Sequence, residues 1–269
     1  MHTVATPALL LVLAAAFCCA PAASAGAVCE ATSGRATAAL VELYISEGCS
    51  SCPPADLQLR TLRRQLDANA VLVPLALHVS YWDQIGWKDV FAQARFDARQ
   101  HALLTMGRRQ VAYTPQFFVN GKEVREWRAA LPAEIRRTNA RPAPLTIQLQ
   151  TSTAAATLLL DATVRATVST TAAPAAGALY LAVSESGLLS PVRRGENSGV
   201  TLQHDDTVRL WLGPFALEQG HLRVHQQVPL PAAWRRDRLQ AVAFVQGADG
   251  RIVQAVSTAQ CLAPSAGML

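Results

Sequence analysis

The chain is predicted to fold as an α/β domain followed by an all-β domain, and two observations carry that reading. A strand-length apolar run at residues 40–45 leads at once into Cys49-Ser50-Ser51-Cys52 and then into a stretch of helical spacing at 57–66. This opens an alternation of strand and helix. From residue 145 onward the alternation stops, and short runs rich in Thr, Val and Leu recur between turn residues, the pattern of packed antiparallel strands.

In the first domain, residues 40–46 are predicted as a strand, and a helix runs from the C-x-x-C to about residue 67. Pro53 and Pro54 suit the first helical turn, where a missing N–H has no partner to lose. Residues 71–79 are nearly continuously apolar, as in a strand buried on both faces. The crossover joining these two parallel strands is right-handed. Residues 88–106 read as an amphipathic helix stopped by Gly107. Residues 116–119 and 122–124 flank the turn Asn120-Gly121, a hairpin signal, and a last helix spans about 127–138. The order βαβαββα with C-x-x-C at the first helix is that of a thioredoxin-like domain, assigned to residues 26–141.

The composition changes at 139–144, Asn-Ala-Arg-Pro-Ala-Pro, a linker signal. Strands are predicted at 145–150, 157–168, 178–185, 207–213, 221–228, 239–246 and 251–257, with helix an alternative at 158–167, where alternation is less clean. An immunoglobulin-like sandwich at 142–269 accommodates them. The polar segment from Arg194 to Gly199, with His204 beyond it, reads equally as a rigid turn and as a binding loop.

The beginning of the chain assigns a compartment. Residues 8–17 are apolar but too few to span a bilayer, and Ala23-Ser24-Ala25 follows as an A-x-A cleavage pattern. Residues 1–25 therefore read as a signal peptide. The mature chain is expected to be exported, periplasmic or secreted, with no stable membrane span. Cys18 and Cys19 fall within that leader. Of the remaining cysteines, Cys29 and Cys261 lie near the two ends. In an oxidising space the economical pairing is a structural bridge Cys29–Cys261 and an active pair Cys49–Cys52. A four-cysteine zinc site is the alternative, and no metal or other cofactor is expected. The net charge of +5 comes almost wholly from arginine, scattered in pairs such as Arg63-Arg64 and Arg193-Arg194. Without a clustered basic patch, nucleic-acid binding is not expected.

Several segments resemble the domain-of-unknown-function family numbered 1223: Glu42 to Tyr44, Glu47 to Asp56, His78 to Asp83, Gly86 to Asp89, Tyr113 to Gln116, and Arg194 to Gly199. The resemblance implies export and a thioredoxin-like fold and implies no established substrate. Ser80 departs from it, where the pattern leads one to expect an acidic residue.

Topology gathers the candidate site. The first two strands end at one sheet edge, bringing the C-x-x-C together with His78, Tyr81 and Trp82, and the antiparallel third strand begins there with Thr114-Pro115. In thioredoxin-like proteins the proline at this point is cis and the residue before it pairs with substrate. Cys49 is expected to be the attacking thiolate, nearer solvent at the helix N-terminus, and Cys52 the resolving thiol. Glu42, an acid within an apolar strand, is a candidate proton acceptor for Cys52; the alternatives are exposure to solvent or pairing with an arginine such as Arg60. Thr114, Tyr81, Trp82 and His78 are candidate substrate contacts; the alternatives are a packed aromatic loop for Tyr81 and Trp82 and a satisfied strand-end histidine for His78. The expected activity is thiol–disulfide exchange with protein or small-molecule thiols and a redox partner. A copper-handling protein using the two thiolates, and a binding module whose disulfide stays closed, are the alternatives.

Overall fold

The computed structural model describes His2, Val28–Thr167 and Ala176–Cys261, with the side chains of Gln260 and Cys261 excepted. The signal-peptide assignment and Cys18 and Cys19 lie outside the described residues. So does the side chain of Cys261, on which the expected Cys29–Cys261 bridge depends. Cys29 is held in a disulfide, and its Sγ lies 3.9 Å from the carbonyl oxygen of Thr258.

In chain order the elements of the first half are β1 (Cys29–Thr32), β2 (Ala39–Ile45), α1 (Pro53–Thr61), β3 (Leu72–His78), α2 (Ala94–Met106), β4 (Gln116–Val119), β5 (Lys122–Glu123) and α3 (Trp127–Asn139). The second half contributes β6 (Leu145–Ala154), β7 (Thr157–Ala166), β8 (Ala176–Glu185), β9 (Leu188–Pro191), β10 (Thr201–His204), β11 (Thr207–Glu218), β12 (Leu222–Pro229), β13 (Leu239–Gly247) and β14 (Ile252–Ser257). The second helix starts later than its pattern suggested. Gln93 is its N-cap, and Asp89, inside the expected helix, accepts the backbone N–H of Phe91 instead.

The expected pair of consecutive domains, thioredoxin-like α/β and then a separate immunoglobulin-like sandwich, is overturned by the sheets. The protein is mostly β, 44% strand against 21% helix, and its largest sheet runs through both halves in the order β14-β13-β8-β11-β3-β2-β4-β5. The seam is a parallel pairing of β11 with β3, Thr207 beside Ala76, where the Ala76 N–H donates to the Asp206 carbonyl at 2.9 Å. The exchange is mutual: β1, from the first half, is the edge strand of the four-stranded sheet β1-β6-β7-β12. Local periodicity identifies strands but not their partners, so a sheet assembled from both halves has no signature in either.

One face of the large sheet carries a single core spanning the seam. Val73, Leu75 and Leu77 of β3 and Phe96 and Leu103 of α2 pack with Trp211, Val242 and Phe244. The opposite face is covered in two places. The helices α1 and α3 close over β2 and β4. The four-stranded sheet closes over β8 and β13, burying Ile147, Leu149 and Leu160 in one core with Leu181 and Ala243. Every residue of β2 is buried, and its alternation divides the covering layers. Val41, Leu43 and Ile45 belong with α1 and the two cysteines, while Leu40 and Tyr44 belong with α2.

Candidate functional site

Cys49 and Cys52 form a disulfide at the end of β2. The parallel register places Ile45 beside His78 and the antiparallel one places Tyr44 beside Gln116. The ends of β2 and β3 and the start of β4 thus share one sheet edge. The Thr114–Pro115 peptide bond, just before β4, is cis.

The cysteines occupy different positions from those expected. The helix begins at Pro53, with Cys52 as its N-cap, and the Cys52 carbonyl accepts the N–H groups of Ala55 and Asp56 at 2.9 and 3.0 Å. Cys49 lies a turn upstream and is fully buried, and Cys52 is 2% exposed. The solvent-facing Cys49 expected from the motif is therefore corrected. What covers it comes from the second half of the chain. Between β9 and β10, the Asn197 side-chain amide donates to the carbonyls of Glu47 and Cys49 at 2.8 and 3.0 Å, and the Ser50 N–H donates to the Glu196 carboxylate at 2.9 Å. The segment sits close because Gly195, at φ 75°, has no side chain; a Cβ there would lie 3.2 Å from the Trp87 Cβ.

Behind the disulfide lies a buried group of charges. His204 is bonded to Asp56 through Nδ1 at 2.7 Å, and its Nε2 lies 3.4 Å from Glu47 Oε1. Burial opposes its cation, yet the carboxylates of Asp56 and Glu47 prevail and push it up to about 9. Glu47 also accepts Trp87 Nε1–H at 2.7 Å. His78 is fully buried, bonded through Nδ1 to Asp89 at 2.7 Å, its ring 4.9 Å from that of His204. Although burial resists it, the His78 ring holds Asp89 below the usual carboxylate range. A cavity of about 500 Å³ opens between α1 and β10, lined among others by Cys52, Asp56, Leu57, Val200 and His204.

Other expected site residues take other roles. Glu42 is fully buried among the α2-side residues of β2, away from the cysteines. Its carboxylate pairs in bidentate fashion with Arg99 of α2, at 2.6 and 3.0 Å, and accepts the Tyr44 hydroxyl at 3.2 Å. The Arg99 guanidinium is enclosed by the rings of Tyr180, Trp211 and Phe244. Glu42 as the proton acceptor for Cys52 is thus corrected: strand alternation puts it on the wrong face. His78 as a substrate contact is likewise corrected, because it is fully buried. Tyr81 is half-buried; its hydroxyl donates to Gln100 at 3.3 Å and burial pushes it up to about 12. Trp82 is half-buried and packs against the cores on both faces of the sheet. Thr114 Oγ1 is buried without a hydrogen-bond partner. Ser80, the departure from the family pattern, binds the Asp97 carboxylate through its N–H and its hydroxyl. Among the described residues, no three or more His, Cys, Asp or Glu side chains are grouped to hold a metal.

The residues that sequence reasoning did not place are Glu47, Asp56, Glu196, Asn197 and His204. The signal was present: an Arg-Gly-Glu-Asn-Ser-Gly segment followed by His204. Its target lay some 150 positions upstream (the Asn197–Glu47 bond spans 150 residues), so spacing could not reveal it.

Sheet order and site together define a mostly β protein with a C-x-x-C disulfide whose Cys49 side is held by a loop from its second half. The chain belongs to the family of proteins of unknown function DUF1223, whose profile matches residues 40–246. A crystal structure of an Agrobacterium tumefaciens protein is similar to it at 22% identity and a TM-score of 0.58, covering 83% of this chain and 95% of that one. HBP35 of Porphyromonas gingivalis is similar at 16% identity and a TM-score of 0.66, covering 88% of this chain and 80% of that one. These likenesses concern the fold alone. No curated protein matches the chain.

Proposed function

We propose that the protein is an exported thiol–disulfide oxidoreductase whose redox centre is the Cys49–Cys52 pair, exchanging with protein or small-molecule thiols and disulfides. The observation that carries this reading is the cavity lined by Cys52, at the N-terminus of α1, together with Asp56 and His204. A helix N-terminus favours a thiolate, and buried ionisable groups beside a sulfur are what proton transfer during exchange requires. A purely structural disulfide has no use for either.

The test is equilibration of the purified protein with dithiothreitol and glutathione couples, followed by an insulin-reduction assay. A redox centre opens and closes reversibly without unfolding and supports turnover. A disulfide that yields only to denaturant, with no turnover, overturns the reading in favour of a scaffold held shut.

A further inference from the structure

We propose that Cys52, not Cys49, is the sulfur that exchanges with substrate, and that the substrate is a disulfide-bonded peptide entering by the cavity between α1 and β10. This rests on the oxidoreductase reading and reverses the order of roles that the motif alone suggests.

Three independent features converge on it. The cavity is lined by Cys52 and not by Cys49. Cys52 is the N-cap of α1, where the helix dipole favours its thiolate, whereas Cys49 lies upstream of the helix. Cys49 is also closed off. It is fully buried, and the Glu196–Asn197 segment is bonded across the backbone of residues 47, 49 and 50.

The lining of the cavity points to a ligand. Asp56 and His204 are 5% and 3% exposed, and Asp56 Oδ1 makes no hydrogen bond, while His204 Nε2 has only the ion-pair contact with Glu47 Oε1, at 3.4 Å. Buried polar atoms are ordinarily satisfied, and both residues line the cavity beside Cys52. Leu57 and Val200, which also line it, are among the few large apolar side chains left exposed among the described residues, 49% and 47%. An apolar rim around Cys52 and an unsatisfied carboxylate oxygen of Asp56 suits a cysteine flanked by apolar residues, and about 500 Å³ holds one or two side chains.

Atoms and electrons balance in the exchange. In the dithiol form, Cys52 releases its proton to water and its thiolate, favoured by the helix dipole, attacks one sulfur of the substrate R–S–S–R′. The R–S–Cys52 bond forms, and R′–S⁻ leaves with the bonding electron pair and takes a proton. Cys49 then loses its proton and attacks Cys52 Sγ, closing the Cys49–Cys52 bond and releasing R–S⁻, which is protonated. The substrate gains two electrons and two protons, and the protein loses them.

The experiment uses full-length Cys49→Ser and Cys52→Ser proteins and glutathione disulfide as the probe, with adduct formation followed by mass spectrometry. The Cys49→Ser protein, which keeps Cys52, is expected to form its adduct at least about tenfold faster than the Cys52→Ser protein. Val200→Trp in the Cys49→Ser background, narrowing the cavity, is expected to slow that adduct several-fold. Should either serine variant fail to fold, pulse alkylation of the reduced wild-type protein gives the same answer, with Cys52 labelled before Cys49. Equal or reversed rates, or Cys49 labelled first, overturn the assignment and leave the redox reading standing. If neither sulfur reacts in the folded protein and the wild-type disulfide does not exchange, it is the redox reading that falls.

Discussion

The side-chain amide of Asn197 donates to the carbonyl oxygens of both Glu47 and Cys49, at 2.8 and 3.0 Å, across 150 residues of chain. This one side chain fastens the β9–β10 loop onto the turn that carries the disulfide. Asn197 is itself buried, so the carbonyls it serves have no water to fall back on. Replacing it with alanine takes the donor from the buried Glu47 carbonyl and leaves the Cys49 carbonyl with only the Cys52 N–H, at 3.1 Å, at a cost of roughly 1–3 kcal/mol. Asn197→Ala is therefore expected to lower the denaturation midpoint and to raise the alkylation rate of Cys49 in reduced protein several-fold. Unchanged protection of Cys49 would show that the loop does not act as its cover.

The His204 site makes stability depend on pH with a definite sign. Its folded value of about 9 lies above the ordinary 6.5, so the folded state holds the proton more tightly than the unfolded chain. The resulting stabilisation is complete below about pH 6.5 and is lost as pH rises through about 9, with a full extent on the order of 3 kcal/mol. Asp206, pushed up to about 7 by burial and by neighbouring Asp205, adds a decline at lower pH, between its ordinary value and 7. Between about pH 6 and 9, above the titration of the carboxylates such as Asp89 that the fold holds low, urea unfolding is expected to show stability falling, and His204→Gln should flatten only the upper limb. A wild-type protein gaining stability between about pH 7 and 9 would contradict the assignment of the His204 charge.

Glu42 and Arg99 are both buried and joined by two hydrogen bonds. Removing one member of a buried pair leaves the other charge without compensation, typically at about 3–5 kcal/mol. Arg99 also binds Gln246 at 3.2 Å and so ties α2 to β13. Glu42→Gln is expected to destabilise the fold strongly while leaving the reactivity of the folded cysteines unchanged. A selective change in disulfide exchange with normal stability would restore the catalytic role that the strand's alternation argues against.

The elements were far more legible than their assembly. Residues 71–79 read as a buried strand because their apolar run is continuous, and β3 is Leu72–His78. Asn120-Gly121 located the β4–β5 hairpin from local chemistry, and the Asn120 side chain also accepts the Leu40 N–H at 2.8 Å. Misreadings arose where distant segments decide the outcome. Glu42 could be recognised as unusual, but its partner Arg99 lies 57 residues away. The four-residue strands β9 and β10 are too short for their alternation to stand out from the polar loop they frame. The C-x-x-C was plain and Pro53-Pro54 marked the first turn of α1, but the motif alone set Cys49 at the helix N-terminus, a place that Cys52 holds.

The seam between the halves yields a prediction about folding. Only one residue pair, Thr207 and Ala76, joins β11 to β3 in ladder register, yet the core across that seam is large. Phe96 packs edge-on to Trp211, with ring centres 6.2 Å apart, and Arg95 donates to the Trp211 carbonyl at 2.7 Å. Trp211 also meets Tyr180 and Phe244. A fragment ending at residue 141 would expose Val73, Leu75, Leu77 and Phe96 where Trp211, Val242 and Phe244 now cover them, and would leave β1 without its partner β6. It would also lack Asn197 and His204, and with them the cover of Cys49 and the counterion of Asp56. Such a fragment is expected to give no cooperative thermal transition and poor amide dispersion by NMR. In the full chain, Trp211→Ala should cost about 3–5 kcal/mol by opening the shared core. A fragment melting cooperatively near the parental temperature would mean that the first half carries its own core, and that the continuous sheet is an association of two independent parts.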